Sequence, residues 1–382
     1  MATRHARNVL TAFLVCFTAA GASGSMEGLQ VIDPAKATNE FGEDMLWYDI
    51  QELDLEGKGW GDTAHLYDRL PRSTKTGEPG QFWGLVEDSA GMCVRFVTDS
   101  PRIGGRWTLR SSNLAMPHMP ATGVSGLDLY VNDNGTWRWI GAGRPATGMT
   151  HQAVLAEGIP EGSHEFMVYL PLYNGVESVQ IGIEPSAKLA KGPAYPAGRE
   201  KPILFWGTSI LQGGCASRPG MAYPAIVGRM LMRPTINLGF SGNGKMQPEV
   251  VDALTRLDAA AFVIDCCPNM DADLIMERTI PLVTALRKAW PDTPIVLVEN
   301  VKYQAGAFLP KKREAYEVKN KAFRAQYEQL AADGVKGLHY VPCDDLFGHD
   351  GEATVDGTHA TDLGFLRIAE VIAPVLQGIL GE

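Results

Sequence analysis

Apolar positions between residues 28 and 196 come in short bursts, at 92–97, 127–131, 137–140, 164–170 and 179–183. Turn formers separate them, notably Asn132-Asp133-Asn134-Gly135 and Pro160-Glu161-Gly162. Short strands at this spacing, without sustained helical periodicity, predict a β-sandwich. Residues 191–198, rich in Pro and Gly, read as a linker. Beyond it the pattern changes. Near-continuous apolar runs at 203–206, 235–238, 260–265, 294–298 and 338–341 alternate with helical stretches at 222–232, 274–289, 314–332 and 363–379. A further helix starts at Pro248, with Val250, Val251, Leu254 and Leu257 at helical spacing. Strands buried on both faces and alternating with helices predict an α/β domain with a parallel, doubly wound sheet.

The first 22 residues follow different rules. Arg4 and Arg7 precede an apolar, Ala-rich stretch from Val9 to Ala22, and Ala20-Gly21-Ala22 offers a small-residue cleavage site. This is the layout of a signal peptide, and it predicts a secreted or periplasmic protein cut near Ala22. Fourteen apolar residues are too few to span a bilayer, and no other segment reads as long and apolar enough to span one. Cys16 lies in this stretch; Cys93, Cys215, Cys266, Cys267 and Cys343 remain in the mature chain. Five is an odd number without metal-type pairing, so no disulfide scaffold is expected. The formal charge of −10, with only Lys311-Lys312-Arg313 as a basic run, argues against a nucleic-acid partner.

Several polar residues fall where the strands of the second half end, the place where parallel α/β sheets hold ligands. Ser209 follows the strand at 203–206. Gly239-Phe240-Ser241-Gly242-Asn243-Gly244 follows the next, and Asn269 follows the strand at 260–265. Asp356-Gly357-Thr358-His359 precedes the last helix. An acid three residues before a histidine can orient one ring nitrogen and leave the other as a base for Ser209. Gly242 can offer a backbone N–H at close approach, and Asn269 a side-chain amide, to an oxyanion. The competing role for Asn269 is to cap the helix that follows. The glycine loop has the spacing G-x-x-G-x-G, which does not fit a dinucleotide loop. A metal site from Asp344, Asp345, His349, Asp350 and His359 lacks any motif that would fix its geometry. Cys215 has no base of its own, and His118, in the segment 116–119, reads as structural, with a reach into the site from the first half as the competing role.

These blocks resemble the SGNH (GDSL-like) hydrolase family. The resemblance implies Ser209 as nucleophile, Asp356 and His359 as its partners, and Ser209, Gly242 and Asn269 as oxyanion donors. The first block reads Gly-Thr-Ser-Ile, and the third reads Cys-Pro-Asn-Met, both departures from the family's usual wording. Gly126-Leu127-Asp128-Leu129-Tyr130 is similar to the signature of the GxDLY domain that precedes some bacterial SGNH enzymes. Together these imply a signal peptide (1–22), a GxDLY-type β-sandwich (28–196) and a flavodoxin-like catalytic domain (200–382). The expected activity is a cofactor-free and metal-free serine esterase that removes short acyl groups, chiefly acetyl, from an oligosaccharide or polysaccharide. The alternatives are a lipid or thioester acylhydrolase, and an inactive carbohydrate-binding protein. Trp83, Trp137 and Trp139 read as sandwich core, with sugar stacking as the competing role.

Overall fold

The computed structural model describes residues 26–39, 44–75 and 80–381; the expected signal segment, with Cys16, lies outside them. Among the described residues the first half holds ten strands. They are β1 (Leu46–Asp49), β2 (Leu55–Glu56), β3 (Cys93–Thr98), β4 (Arg102–Leu109) and β5 (Leu127–Asp133). β6 (Thr136–Gly143), β7 (Thr150–Glu157), β8 (His164–Tyr169), β9 (Val176–Ile183) and β10 (Leu189–Lys191) complete the set. One antiparallel sheet runs β1-β9-β4-β7; the other runs β10-β3-β8-β5-β6, with β2 beside β3. Trp107, Val179 and Ile181 from the first sheet share one buried cluster with Phe96, Phe166 and Leu129 from the second. The two inner faces therefore form a sandwich core.

The sequence pattern missed the short β1, β2 and β10, and also the longer β4 and β7. In β4, Gly104 and Gly105 interrupt the apolar run, yet a Cβ at Gly104 would sit 2.8 Å from the Trp47 ring. The glycine makes room for the buried Trp47 of β1, two strands away in the same sheet. In β7, Thr150–Glu157, only His151 and Leu155 are buried among exposed and half-buried positions, so its apolar signal is weak. The tryptophans depart from the core expectation. Trp139 is 48% exposed on β6, and Trp83 packs outside the sandwich, against the core of the second half.

The second half is a five-stranded parallel sheet built from β11 (Ile203–Gly207), β12 (Thr235–Gly239), β13 (Ala261–Asp265), β14 (Ile295–Val298) and β15 (Leu338–Val341). Their order is β12-β11-β13-β14-β15. This is the doubly wound, flavodoxin-like order, whose switch point lies between β11 and β13. Every residue of β11, β13 and β14 is buried, as a sheet covered on both faces requires. The helices Tyr223–Leu231 and Asp362–Leu380 cover one face. Pro248–Leu254, Ala272–Ala289 and Pro310–Ala332 cover the other. The last helix corrects one expectation. Asp362–Leu380 has 19 residues and a window of mean hydropathy 1.6, enough by length and composition to cross a membrane. Here Phe365, Ile368, Ile372 and Leu376 are buried in the core instead.

The two halves share their cores. Ala90, Met119, Val124 and Leu172 join the cluster under one face of the parallel sheet, while Leu70 and Val86 join the other. Polar contacts reinforce the join. The buried Arg69 guanidinium donates to the Gly239 carbonyl at 2.7 Å and the Asn237 carbonyl at 3.1 Å, capping the end of β12. Asp128, fully buried on β5, accepts from the Gly220 N–H at 2.8 Å and Arg218 Nη1 at 2.9 Å. Its other oxygen accepts from Trp139 Nε1 at 2.7 Å. The aspartate of the Gly-Leu-Asp-Leu-Tyr motif thus reaches into the loop that follows Ser209. Tyr130 of the same motif accepts a hydrogen bond from Arg218, and its ring lies 4.1 Å from the Arg229 guanidinium carbon.

Candidate active site

Ser209 opens a one-turn helix, Ser209–Gln212, directly after β11. Thr208 caps it, its Oγ1 accepting from the Ile210 N–H at 3.3 Å. At the other end, Gly213 adopts φ 106°, a left-handed conformation that suits glycine and ends the turn. The Ser209 carbonyl accepts from the Gly214 N–H at 2.8 Å and from the Tyr173 hydroxyl at 3.2 Å. A residue of the first half therefore braces the serine turn. Beneath it, Gln212 donates to Asp88 at 2.8 Å, and its Oε1 accepts from the Ser241 N–H at 3.0 Å. One glutamine links the first half, the serine turn and the glycine loop. Burial pushes the Asp88 carboxyl up to about 7, against the opposing pull of Arg69.

His359 approaches from the opposite side, on the loop between β15 and the last helix. Its Nε2 lies 2.8 Å from Ser209 Oγ, and its Nδ1 lies 2.7 Å from Asp356 Oδ2. The D-x-x-H spacing builds this locally: Asp356 Oδ1 accepts the Thr358 N–H at 3.0 Å and the His359 N–H at 2.8 Å. Partial burial raises the Asp356 carboxyl, but these N–H groups and the imidazole outweigh it and hold it at about 2. The acid is therefore ionised at any ordinary pH. An ionised acceptor at Nδ1 places a proton there and leaves Nε2 with its lone pair toward the serine. Ser209 itself is only 7% exposed.

The glycine loop and Asn269 complete the group. Gly242 has φ 69° and open space where a Cβ would go, so its backbone conformation calls for glycine. Close approach, expected at Gly242, falls instead on Gly244, whose Cβ would sit 2.0 Å from the Gly207 carbonyl oxygen. Asn269 ends a short 3-10 turn, and its Oδ1 accepts from the Gly244 N–H at 3.2 Å. That bond fixes the amide orientation, since only the oxygen can accept, and leaves Nδ2 as the free donor. The capping alternative fails: Asp271 caps the following helix, accepting from the Leu274 N–H at 2.9 Å.

The rejected metal set is dispersed. Asp344 pairs with Lys302, Asp345 with His349, and Asp350 with Arg367. The described cysteines are all buried and unpaired. His118 is not merely structural. The two backbone hydrogen bonds between Met116 and Met119 form a tight turn that carries it across from the first half. Its ring sits edge-on to His359 with centroids 5.8 Å apart. Cys215 lies beside both. Nothing local marks either residue in the sequence, because each is brought in by long-range packing.

The architecture and this arrangement invite comparison with known proteins. Residues 200–377 match the GDSL-like Lipase/Acylhydrolase family, and residues 45–189 match the GxDLY model, the N-terminus of Esterase_SGNH_hydro-type. A Bacteroides ovatus protein described as a GDSL-like lipase is 38% identical, over 88% of this chain and 98% of its own, with a TM-score of 0.82. The chain belongs to the GDSL-like (SGNH) hydrolases. Membership in this family makes it an esterase or acylhydrolase. Two more distant structures share the fold. The salicylyl-acyltransferase SsfX3 of a tetracycline biosynthetic pathway is 18% identical, over 87% of this chain and 98% of its own, with a TM-score of 0.70. A family two carbohydrate esterase from Clostridium thermocellum, in complex with cellohexaose, is 16% identical, over 77% of this chain and 96% of its own, with a TM-score of 0.55. No curated protein matches the sequence.

Proposed function

We propose that this SGNH hydrolase is an exported serine esterase that removes short acyl groups, chiefly acetyl, from carbohydrate. The observation that carries the chemistry is the relay of Ser209 Oγ, His359 and Asp356 at 2.8 and 2.7 Å. In the proposed reaction His359 Nε2 takes the Ser209 proton as Oγ attacks the ester carbonyl. The Ser209 and Gly242 N–H groups and Asn269 Nδ2 hold the developing oxyanion. His359 returns the proton to the leaving alkoxide, then takes one from the water that releases the acid and regenerates Ser209. Asp356, ionised throughout, stabilises the imidazolium.

Preference for a short acyl group rests on space. The Ser209 surroundings are crowded: a Cβ at Gly214 would lie 2.9 Å from the Tyr173 hydroxyl and 3.4 Å from the His359 ring. Polar residues from the converging loops, including Ser241, Asn243, Asn269 and His118, suit a sugar better than a lipid tail. Export rests on the leader pattern of residues 1–22.

One observation favours the lipid alternative. Phe308 is 89% exposed, with Leu309 beside it and the exposed Lys311, Lys312 and Arg313 following. An apolar tip next to cations suits an anionic lipid surface. Ester chain length separates the readings. A deep acyl pocket gains up to about 0.8 kcal/mol per buried CH₂, so kcat/KM would climb with chain length. Acetate should be best here and octanoate poor, with acetate released from an acetylated xylan, mannan or pectin. Fluorophosphonate should label Ser209, and Ser209→Ala should lower kcat by about 10⁶-fold. A preference for C8 esters, or label on another serine, overturns the proposal.

A further inference from the structure

The one group of metal-capable side chains that the described residues bring together is not the acidic stretch near the C-terminus. It is His118, Cys215 and His359, whose ligand atoms all lie within 4.8 Å of one another. They come from three places: a turn of the sandwich half, the loop after the serine helix, and the loop before the last helix. We infer that this trio is a binding site for Zn²⁺, and that zinc there switches the hydrolase off.

Geometry selects the ligand atoms. His359 Nδ1 is committed to Asp356 at 2.7 Å, so the nitrogen available to a metal is Nε2, the same atom that faces Ser209 at 2.8 Å. A histidine held by a carboxylate through its other nitrogen is the usual partner of zinc, because the carboxylate fixes the ring and raises its basicity. Tetrahedral zinc with Zn–N near 2.0–2.1 Å and Zn–S near 2.3 Å needs ligand atoms about 3.4–3.6 Å apart. The trio must therefore draw in by at most about 1.5 Å. His118 can supply that movement, since it is exposed at the apex of its turn. Cys215 is held in place: it is buried and has φ 75°. A sulfur and two imidazoles leave the fourth position for water, and they are a donor set that zinc prefers to magnesium or calcium.

The charge balance is also suitable. On binding, Zn²⁺ sheds water, the Cys215 thiol gives its proton to solvent, and one Zn–S and two Zn–N bonds form with no change of oxidation state. The thiolate and the Asp356 carboxylate then offset the two metal charges. The effect of the metal on turnover rests on the serine-esterase reading: a metal on Nε2 occupies the lone pair that would accept the Ser209 proton.

The test separates binding from activity. Metal-stripped full-length protein is titrated with ZnCl₂ in competition with a chromogenic chelator, and p-nitrophenyl acetate turnover is followed in parallel. The expected result is one zinc per chain, turnover falling in step, and recovery on adding EDTA. His118→Ala and Cys215→Ser should each weaken zinc binding by at least about tenfold, and Cys215→Ser should retain metal-free turnover. Co²⁺ in place of zinc should give a thiolate charge-transfer band that Cys215→Ser abolishes. Ser209→Ala should still bind one zinc, so a wrong assignment of the nucleophile would leave this result standing. Absence of stoichiometric binding, or binding and inhibition unchanged in both His118→Ala and Cys215→Ser, overturns the site.

Discussion

Replacing Asp128 tests how much the Gly-Leu-Asp-Leu-Tyr motif contributes to joining the two halves. Asp128→Ala removes a fully buried carboxylate and leaves three donors without their acceptor: the Gly220 N–H, Arg218 Nη1 and Trp139 Nε1. An unsatisfied buried donor costs about 1–3 kcal/mol, and stripping one partner from a buried ion pair about 3–5 kcal/mol. The terms are not additive. The Arg218 side chain retains 21% exposure and can recover some hydration, so the expected total is about 3–5 kcal/mol. Burial holds the Asp128 carboxyl above the usual range despite Arg218, so the pair is costly to bury. Stranding its partners is what makes removal expensive. Urea unfolding should show a lower midpoint at an unchanged m-value, since the surface exposed on unfolding is the same. Turnover should fall as well, because the Gly220 loop follows directly from the serine helix. In a double-mutant cycle, Arg218→Ala should cost much less once Asp128 is gone. A loss under about 1 kcal/mol with normal turnover, or additive effects of the two substitutions, refutes the reasoning.

Asn269→Ala should lower kcat by about 10²–10³-fold with little change in KM, because its amide is needed only as charge develops; a change confined to KM counts against an oxyanion role. Residues 200–382 expressed alone should be insoluble or markedly impaired toward p-nitrophenyl acetate, since Leu172, Met119 and Val86 fill their cores and Tyr173 braces Ser209; full activity of that fragment would contradict a shared core. Asp265 is buried, and burial raises its carboxyl to about 7 although the Tyr223 hydroxyl at 2.9 Å favours the charged form. With the folded value above the unfolded one, its contribution to stability is full below about pH 4 and is lost as pH rises to about 7. Asp265→Asn should flatten this fall by on the order of 2 kcal/mol, read as the difference between urea midpoints at pH 5 and pH 8.

Much of this molecule could be read from its sequence, for reasons that differ by element. The central strands of the parallel sheet announce themselves because burial on both faces leaves them largely apolar, as in Ile295–Val298. The relation of Asp356 to His359 is legible because three residues of chain build it, through the aspartate's own hydrogen bonds to Thr358 and His359. Arg102–Leu109 was not legible, because its two glycines record the shape of side chains elsewhere, at Trp47 and Leu155. Asp128 was visible as part of a motif, but its partners Arg218 and Gly220 lie about ninety residues on, and no spacing predicts that meeting. His118 is the extreme case: only the docking of one half on the other brings it to His359.

The join between the halves also bears on how such a chain can be inherited. Arg69 caps β12, Asp88 holds Gln212, Tyr173 braces Ser209, and Asp128 grips the Gly220 loop. Each contact requires a specific side chain of the front half to meet a fixed backbone or side-chain atom of the back half, and the four lie at separate places along the chain. A recombination event that exchanged the front half for an unrelated sandwich would break all four at once. Transfer as a single unit preserves them, and drift at one partner creates pressure for compensating change at the other. The two halves should therefore travel together through descent as one gene segment.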